Sequence, residues 1–314
     1  MAKIGFIGAG KMGSGVVLNL CGAGHSVRVL MRANRQYESE LSAAGASIST
    51  DINSCFKDQD FVFVCLASMT AWQEVFAALE SSGDANTIVV DLTTAQPGTT
   101  AKAASTLRER GIGLIDAPML KGPPAARAAT LHLLVGGAAN DIEQAMPVLR
   151  TISEAQHLTG ASGTGHALKL INNAVTLTNS AIVYEAFALA ASMGIDLPLA
   201  YTAMRESAAG SKRLDAIAPI LISGQHLPSF DVATALKDLE LYNEMAREEG
   251  TISLVGSGAQ SIYRLGTLFG LSDLPVTQLG EMLFALNTGS IDNIGLPGTI
   301  LKSYQAKEKE PRHA

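Results

Sequence analysis

Near its amino terminus the chain reads Lys3-Ile-Gly-Phe-Ile7, then Gly8-Ala-Gly10-Lys11-Met12-Gly13, then the helix-prone Ser14-Gly-Val-Val-Leu-Asn-Leu20. Three glycines so spaced between a strand and a helix suit the holding of a pyrophosphate. Gly8 permits the tight turn, Gly10 lets backbone approach the phosphates, and Gly13 lets helix and strand pack closely. Lys11 and Met12 complete the turn. The helix start then offers free N–H groups and the positive end of its dipole to an anion. The expected ligand is a dinucleotide.

The end of the next strand narrows the choice. It runs Val29-Leu30-Met31-Arg32-Ala33-Asn34-Arg35, and no acidic residue occurs from Met1 to Tyr37. A carboxylate here would bond the ribose 2′-hydroxyl of NAD and repel a 2′-phosphate, whereas a guanidinium bonds that phosphate through two N–H groups. Arg32 and Arg35 therefore favour NADP over NAD, the alternative being that they solvate a loop.

A second candidate lies in Gly163-Thr-Gly-His166-Ala-Leu-Lys169-Leu-Ile-Asn172-Asn173. Only Lys169 and Glu185 are charged between residues 167 and 193, and positions 169, 173, 176 and 180 (Lys, Asn, Thr, Ser) fall on one helical face. A lysine heading that seam must reach solvent or a polar cleft. Most such lysines are solvated; one beginning an apolar helix at a domain junction, an amide one turn on, invites chemistry.

These residues need elements to place them. At 314 residues the chain suits roughly two domains. Strand-like runs at Lys3–Ile7, Val27–Leu30, Phe61–Cys65, Thr87–Asp91, Gly113–Asp116 and Leu131–Val135 alternate with helical stretches such as 12–23, 72–79 and 99–110. Strand and helix in alternation predict right-handed crossovers and a mainly parallel sheet, a doubly wound α/β domain. After about residue 160 the pattern is helical: 165–193, 199–206, 233–247, 259–269 and 279–286. The charged end, with Pro311, predicts a flexible tail.

Composition excludes other classes. The formal charge of −6 argues against a nucleic-acid binder. Polar breaks at Lys169, Asn172, Asn173, Asn179 and Glu185 argue against a membrane span. Cys21, Cys55 and Cys65 form no C-x-x-C pair, which with the absence of a signal-peptide pattern predicts reduced thiols and a cytoplasmic protein. Six histidines (25, 132, 157, 166, 226 and 313) form no metal-ligating cluster, so no metal is expected.

Taken in order, Gly8–Gly13 with its methionine, Asp116-Ala117-Pro118, the Gly163 to Asn173 run, and Phe230…Lys237-Asp238-Leu239 resemble the β-hydroxyacid dehydrogenase family, from Lys3 to about Leu286. The resemblance implies a Rossmann domain (1–162) joined by a long interdomain helix to an all-α substrate and dimerisation domain (163–302), a tail (303–314), and a homodimer or homotetramer. It further implies hydride transfer between nicotinamide and a small aldehyde, semialdehyde or 3-hydroxy acid, with Lys169 as the catalytic acid and base and Asn173 holding substrate. Leu66 and Ala67 would line the cofactor, with Ala67 where the family has proline. Thr94 would contact its nicotinamide half, and Lys237 would reach it from the helical domain.

One departure bears on substrate. Where typical members read x-Ser-Gly-Gly and bind a carboxylate, this chain reads Met119-Leu120-Lys121-Gly122-Pro123-Pro124. Leu120 cannot hydrogen-bond an anion. Two readings stay open: Lys121 supplies a point charge, as an arginine does in the sulfolactaldehyde reductase branch, or it faces solvent beside an apolar pocket. Alternatives are a sulfonated, apolar carbonyl or imine substrate, and a dinucleotide-binding protein without catalysis.

Overall fold

A computed structural model describes residues 1–32, 35–227 and 230–289. The expected tail, 303–314, lies outside the described residues. The chain forms two compact units, one from Met1 to Leu170 and one from Ile171 onward.

In the first unit the strands are β1 (Lys3–Ile7), β2 (Ser26–Leu30), β3 (Ser47–Ser49), β4 (Phe61–Val64), β5 (Ile88–Asp91), β6 (Gly113–Asp116), β7 (Met119–Leu120), β8 (Leu131–Gly137) and β9 (Ser153–Gly160). Between them lie α1 (Gly13–Gly22), α2 (Glu38–Ala43), α3 (Met69–Ser82), α4 (Pro97–Glu109), α5 (Pro123–Arg127) and α6 (Ala139–Leu149). The sheet order is β3-β2-β1-β4-β5-β6-β8-β7, with β9 paired to β8. Strands β1 to β6 are mutually parallel, so the loops that follow them leave at one edge. Strand order reverses between β1 and β4, the place where open α/β sheets bind ligands.

Apolar side chains cover both faces of this sheet. One layer packs Phe6, Val29, Phe63 and Val90 against Val16, Val17 and Leu20 of α1. The other packs Val62, Val64 and Val89 against Trp72, Val75, Phe76 and Leu107 of α3 and α4. Each fully buried Val, Leu or Phe contributes about 1.5–3 kcal/mol. The three cysteines are free thiols, and burial pushes Cys55 up to about 11 and Cys65 up to about 12, out of the reactive range.

Strand β8 runs antiparallel to both β6 and β7, in one unbroken register: Ile115 opposite Gly137, Asp116 opposite Gly136, Met119 opposite Leu133, Leu120 opposite His132. Thus β6 and β7 are a single line of chain interrupted at Ala117-Pro118, where proline brings no N–H. This line places Asp116 at the end of β6 and Met119 at the start of β7.

Helix α7 (Thr164–Ser192) runs from the first unit into the second. There follow α8 (Leu197–Arg205), α9 (Lys212–Ser223), α10 (Val232–Glu248), α11 (Leu254–Leu268) and α12 (Gln278–Thr288). Tyr184, Phe187, Leu239, Tyr263 and Phe284 form the second unit's core, and the Tyr263 hydroxyl donates to the Leu177 carbonyl at 3.0 Å. The polar seam of α7 turns inward, with Asn173 and Ser180 buried, while Leu168, Ile171, Val175, Ile182 and Leu189 are exposed. The helix is thus buried on one side only, and one apolar stripe faces outward. By length and composition α7 could cross a membrane, but 56% of its most apolar window is packed inside the protein, which favours a core helix.

Candidate active site

At the end of β1, Gly8 has φ +98°, a conformation open to glycine, and a Cβ there would run into the Cys65 carbonyl beyond β4. A Cβ on Gly13 would meet the Gly8 carbonyl and the Phe6 ring. Gly10 differs: nothing lies within 4 Å of where its Cβ would stand. Helix α1 starts there with no side-chain cap and no acidic residue in its first turn. The Ser14 hydroxyl is buried without a hydrogen-bond partner. Open space, uncapped N–H groups and an orphaned hydroxyl fit a dinucleotide's phosphates. Lys11 is exposed and Met12 half-buried beside them.

Asp91, at the end of β5, ties the neighbouring loops together. Its carboxylate accepts from the Trp72 indole N–H at 2.5 Å and the Thr93 N–H at 3.0 Å, while the Leu66 N–H donates to the Thr93 hydroxyl at 3.1 Å. Leu66, the exposed Ala67 and half-buried Thr94 are thereby held at the same sheet edge as Gly8. Beyond β2, Arg32 is exposed, whereas Arg35 is engaged by Glu38. Of the two arginines, Arg32 is the one not spent on that neighbour.

The seat of α7 is made by Asp116. One oxygen accepts from the Gly163 N–H at 2.7 Å, the other from the His166 N–H at 2.9 Å. These are the cap and third-residue donors of the helix, which a side chain of the helix itself ordinarily satisfies. The two glycines follow from this seat. Gly163 has φ +95°, and a Cβ on Gly165 would collide with the Leu134 carbonyl and stand 2.8 Å from Asp116 Oδ2. His166 is fully buried, its Nδ1 2.8 Å from the Thr100 hydroxyl. One turn on, Lys169 Nζ donates to the Met119 carbonyl at 2.7 Å. The β6–β7 line therefore grips α7 twice, and the second grip is on the amine.

The turn after Met119 is built differently from an anion cradle. Lys121 has φ +70°, a left-handed position that disfavours a side chain, and its ammonium pairs with Glu154, which also bonds His132 at 2.8 Å. The hydrogen bonds from Lys121 and His132 hold the Glu154 carboxyl below its usual range. Pro123 and Pro124 bring no N–H, and the amides of Ala125 and Ala126 both close on the Gly122 carbonyl, at 3.0 and 3.2 Å.

Within the second unit, Asn173 Nδ2 donates to Asp238 Oδ2 at 2.6 Å, and Asn173 Oδ1 accepts from Asn172 Nδ2 at 3.1 Å. Lys237 Nζ pairs with Asp238 Oδ1 at 3.1 Å. Asp238 is buried rather than half of an exposed charge pair.

Comparison with known proteins places this geometry. A family model described as the NAD binding domain of 6-phosphogluconate dehydrogenase matches residues 3–163, and one described as NAD-binding of NADP-dependent 3-hydroxyisobutyrate dehydrogenase matches 163–282. The chain belongs to the β-hydroxyacid dehydrogenase family. A curated 2-(hydroxymethyl)glutarate dehydrogenase of Eubacterium barkeri is 30% identical over 86% of this chain and 90% of its own length. A 3-sulfolactaldehyde reductase of Escherichia coli is 29% identical over 84% of this chain and 89% of its own. The solved 3-hydroxyisobutyrate dehydrogenase of Mycobacterium tuberculosis with L-serine superposes with a TM-score of 0.82 at 25% identity, covering 90% of this chain and 99% of that one. This β-hydroxyacid dehydrogenase homologue is thus an NAD(P)-dependent oxidoreductase acting between hydroxyl and carbonyl groups.

Three acidic residues of the dehydrogenase escaped the residue-type reading as site components. Asp91 and Asp116 end adjacent strands opposite one another, a signal visible only once β5 and β6 are paired. Asp238 sits among helix charges that in sequence look solvated. Removing it strips Asn173 of its acceptor: Asp238→Ala is expected to lower stability by about 1–3 kcal/mol in urea unfolding, and Asp238→Asn, which keeps an acceptor, by less.

Proposed function

We propose that the protein exchanges hydride between NADP(H) and a small carbonyl or alcohol, with Lys169 moving the proton at the substrate oxygen. The observation that carries this reading is the inward amine of Lys169, fixed on the Met119 carbonyl in the line of chain leaving the same sheet edge as the Gly8–Gly13 loop. When bound, the dinucleotide supplies or accepts hydride at its nicotinamide ring. The remaining work falls to the chain. As an ammonium, Lys169 stabilises negative charge on the carbonyl oxygen and donates the proton; as an amine it takes that proton in the oxidative direction. Asn173, aimed by Asp238, is the proposed amide partner of the substrate.

Exposed Arg32 and the lack of any carboxylate before Glu38 support NADP(H). A charge-assisted hydrogen bond contributes about 1.5–3 kcal/mol. Arg32→Ala is accordingly expected to raise the KM for NADPH about 10-fold or more, leaving that for NADH near its starting value. Lys169→Ala is expected to retain NADPH binding, read by fluorescence titration, and to lose about 100-fold or more in kcat. Near-normal turnover in that variant would remove the lysine from the mechanism.

A second reading concerns the substrate. Leu120, two prolines, and a lysine engaged by Glu154 favour an uncharged carbonyl compound over a free acid at this turn. NADPH oxidation with succinic semialdehyde and with its methyl ester tests this. The ester is expected to have the higher kcat/KM, and Glu154→Gln, which releases Lys121, to improve the acid; preference for the acid in the wild type contradicts it.

A further inference from the structure

We infer that Asp116 is a positioning residue for the reaction: its buried carboxylate seats the first turn of α7 and, by its charge, keeps Lys169 in the ammonium form that donates a proton. The inference rests on the role proposed for Lys169. Both carboxylate oxygens are taken up by uncharged backbone N–H groups, at 2.7 and 2.9 Å, and the side chain has no exposure to solvent. Its negative charge is therefore directed at the start of the helix that carries the lysine.

That charge has something to oppose. Helix α7 presents the positive end of its dipole and its first-turn N–H groups at Gly163, beside the Asp116 carboxylate. A carboxylate at the cap offsets this and favours the protonated amine. Two titratable groups adjoin this seat, Asp91 and His166. Asp91, opposite Asp116 in the β5–β6 register, lies 3.9 Å from His166 Nε2, and His166 faces Thr100 of α4 with its other nitrogen. From β8 the neighbours are Leu134 and Gly136, which carry no charge. The same seat fixes where the amine stands, because Asp116 and Met119 lie on one line of chain and hold α7 at residues 163, 166 and 169.

The test is a titration of the lysine amines by NMR of enzyme labelled at lysine Cε, with Lys169 assigned by its loss in Lys169→Arg. In Asp116→Asn the Lys169 midpoint is expected to fall by about one pH unit while the other lysines stay in place. Asp116→Ser, which keeps a neutral acceptor, gives the same readout where Asp116→Asn does not accumulate folded. With NADPH and succinic semialdehyde, kcat is expected to fall at least about tenfold, its alkaline limb moving to lower pH, with NADPH affinity unchanged. An unmoved Lys169 midpoint overturns the inference, whatever happens to kcat. A wild-type enzyme that reduces no carbonyl, while the midpoint still shifts, leaves this electrostatic role standing and removes the proposed activity instead.

Discussion

The bond between the Asp116 carboxylate and the first turn of α7 is the constraint on which the site depends. A long helix entered through a glycine, which has no side chain to cap it, has several ways to rest on a sheet edge. Here one carboxylate from β6 selects the turn, and two glycines remove the side chains that would hold the backbones apart. Charge-assisted bonds of this kind, out of water, are among the stronger ones available to a protein, and leaving the donors unmet would cost a comparable amount. The helix register that results brings residue 169 to the Met119 carbonyl.

The dinucleotide half follows the same logic of strand ends. Parallel β1, β4 and β5 deliver Gly8, Leu66 and Thr94 to one edge, and Asp91 locks two of those loops through Trp72 and Thr93. Two buried aspartates at equivalent positions on neighbouring strands thus do different jobs. One stiffens the loops beside the cofactor site and the other sets the helix bearing the amine. In the second unit Asp238 does for the Asn173 amide what Asp116 does for the start of α7.

Much of this was legible in the sequence, for identifiable reasons. Gly8 and Gly13 declared themselves because backbone sterics leave few other residues possible, Gly10 by its spacing between them, and the six β-branched runs marked six of the strands. Strand β9 was missed because Ser-Glu-Ala-Gln-His-Leu-Thr-Gly lies largely exposed on the flank of β8 and shows no apolar alternation. Helix α9 was missed because Pro219 interrupts its pattern. The inward turn of the α7 seam was also hidden: periodicity reports which residues share a face, but not which face is covered. The roles of Asp116 and Asp238 depend on partners 47 to 65 residues away, a distance at which spacing carries no signal.

The turn from Leu120 to Pro124 carries no anion cradle of the kind the family resemblance implies, yet the line of chain before it keeps its register. The account stands or falls on where the lysine amine is relative to the reacting ring. A structure of the NADP-bound enzyme is the direct measurement: it should show Lys169 still bonded to the Met119 carbonyl with its amine facing the nicotinamide, and an amine turned to solvent or walled off from the ring would contradict the account.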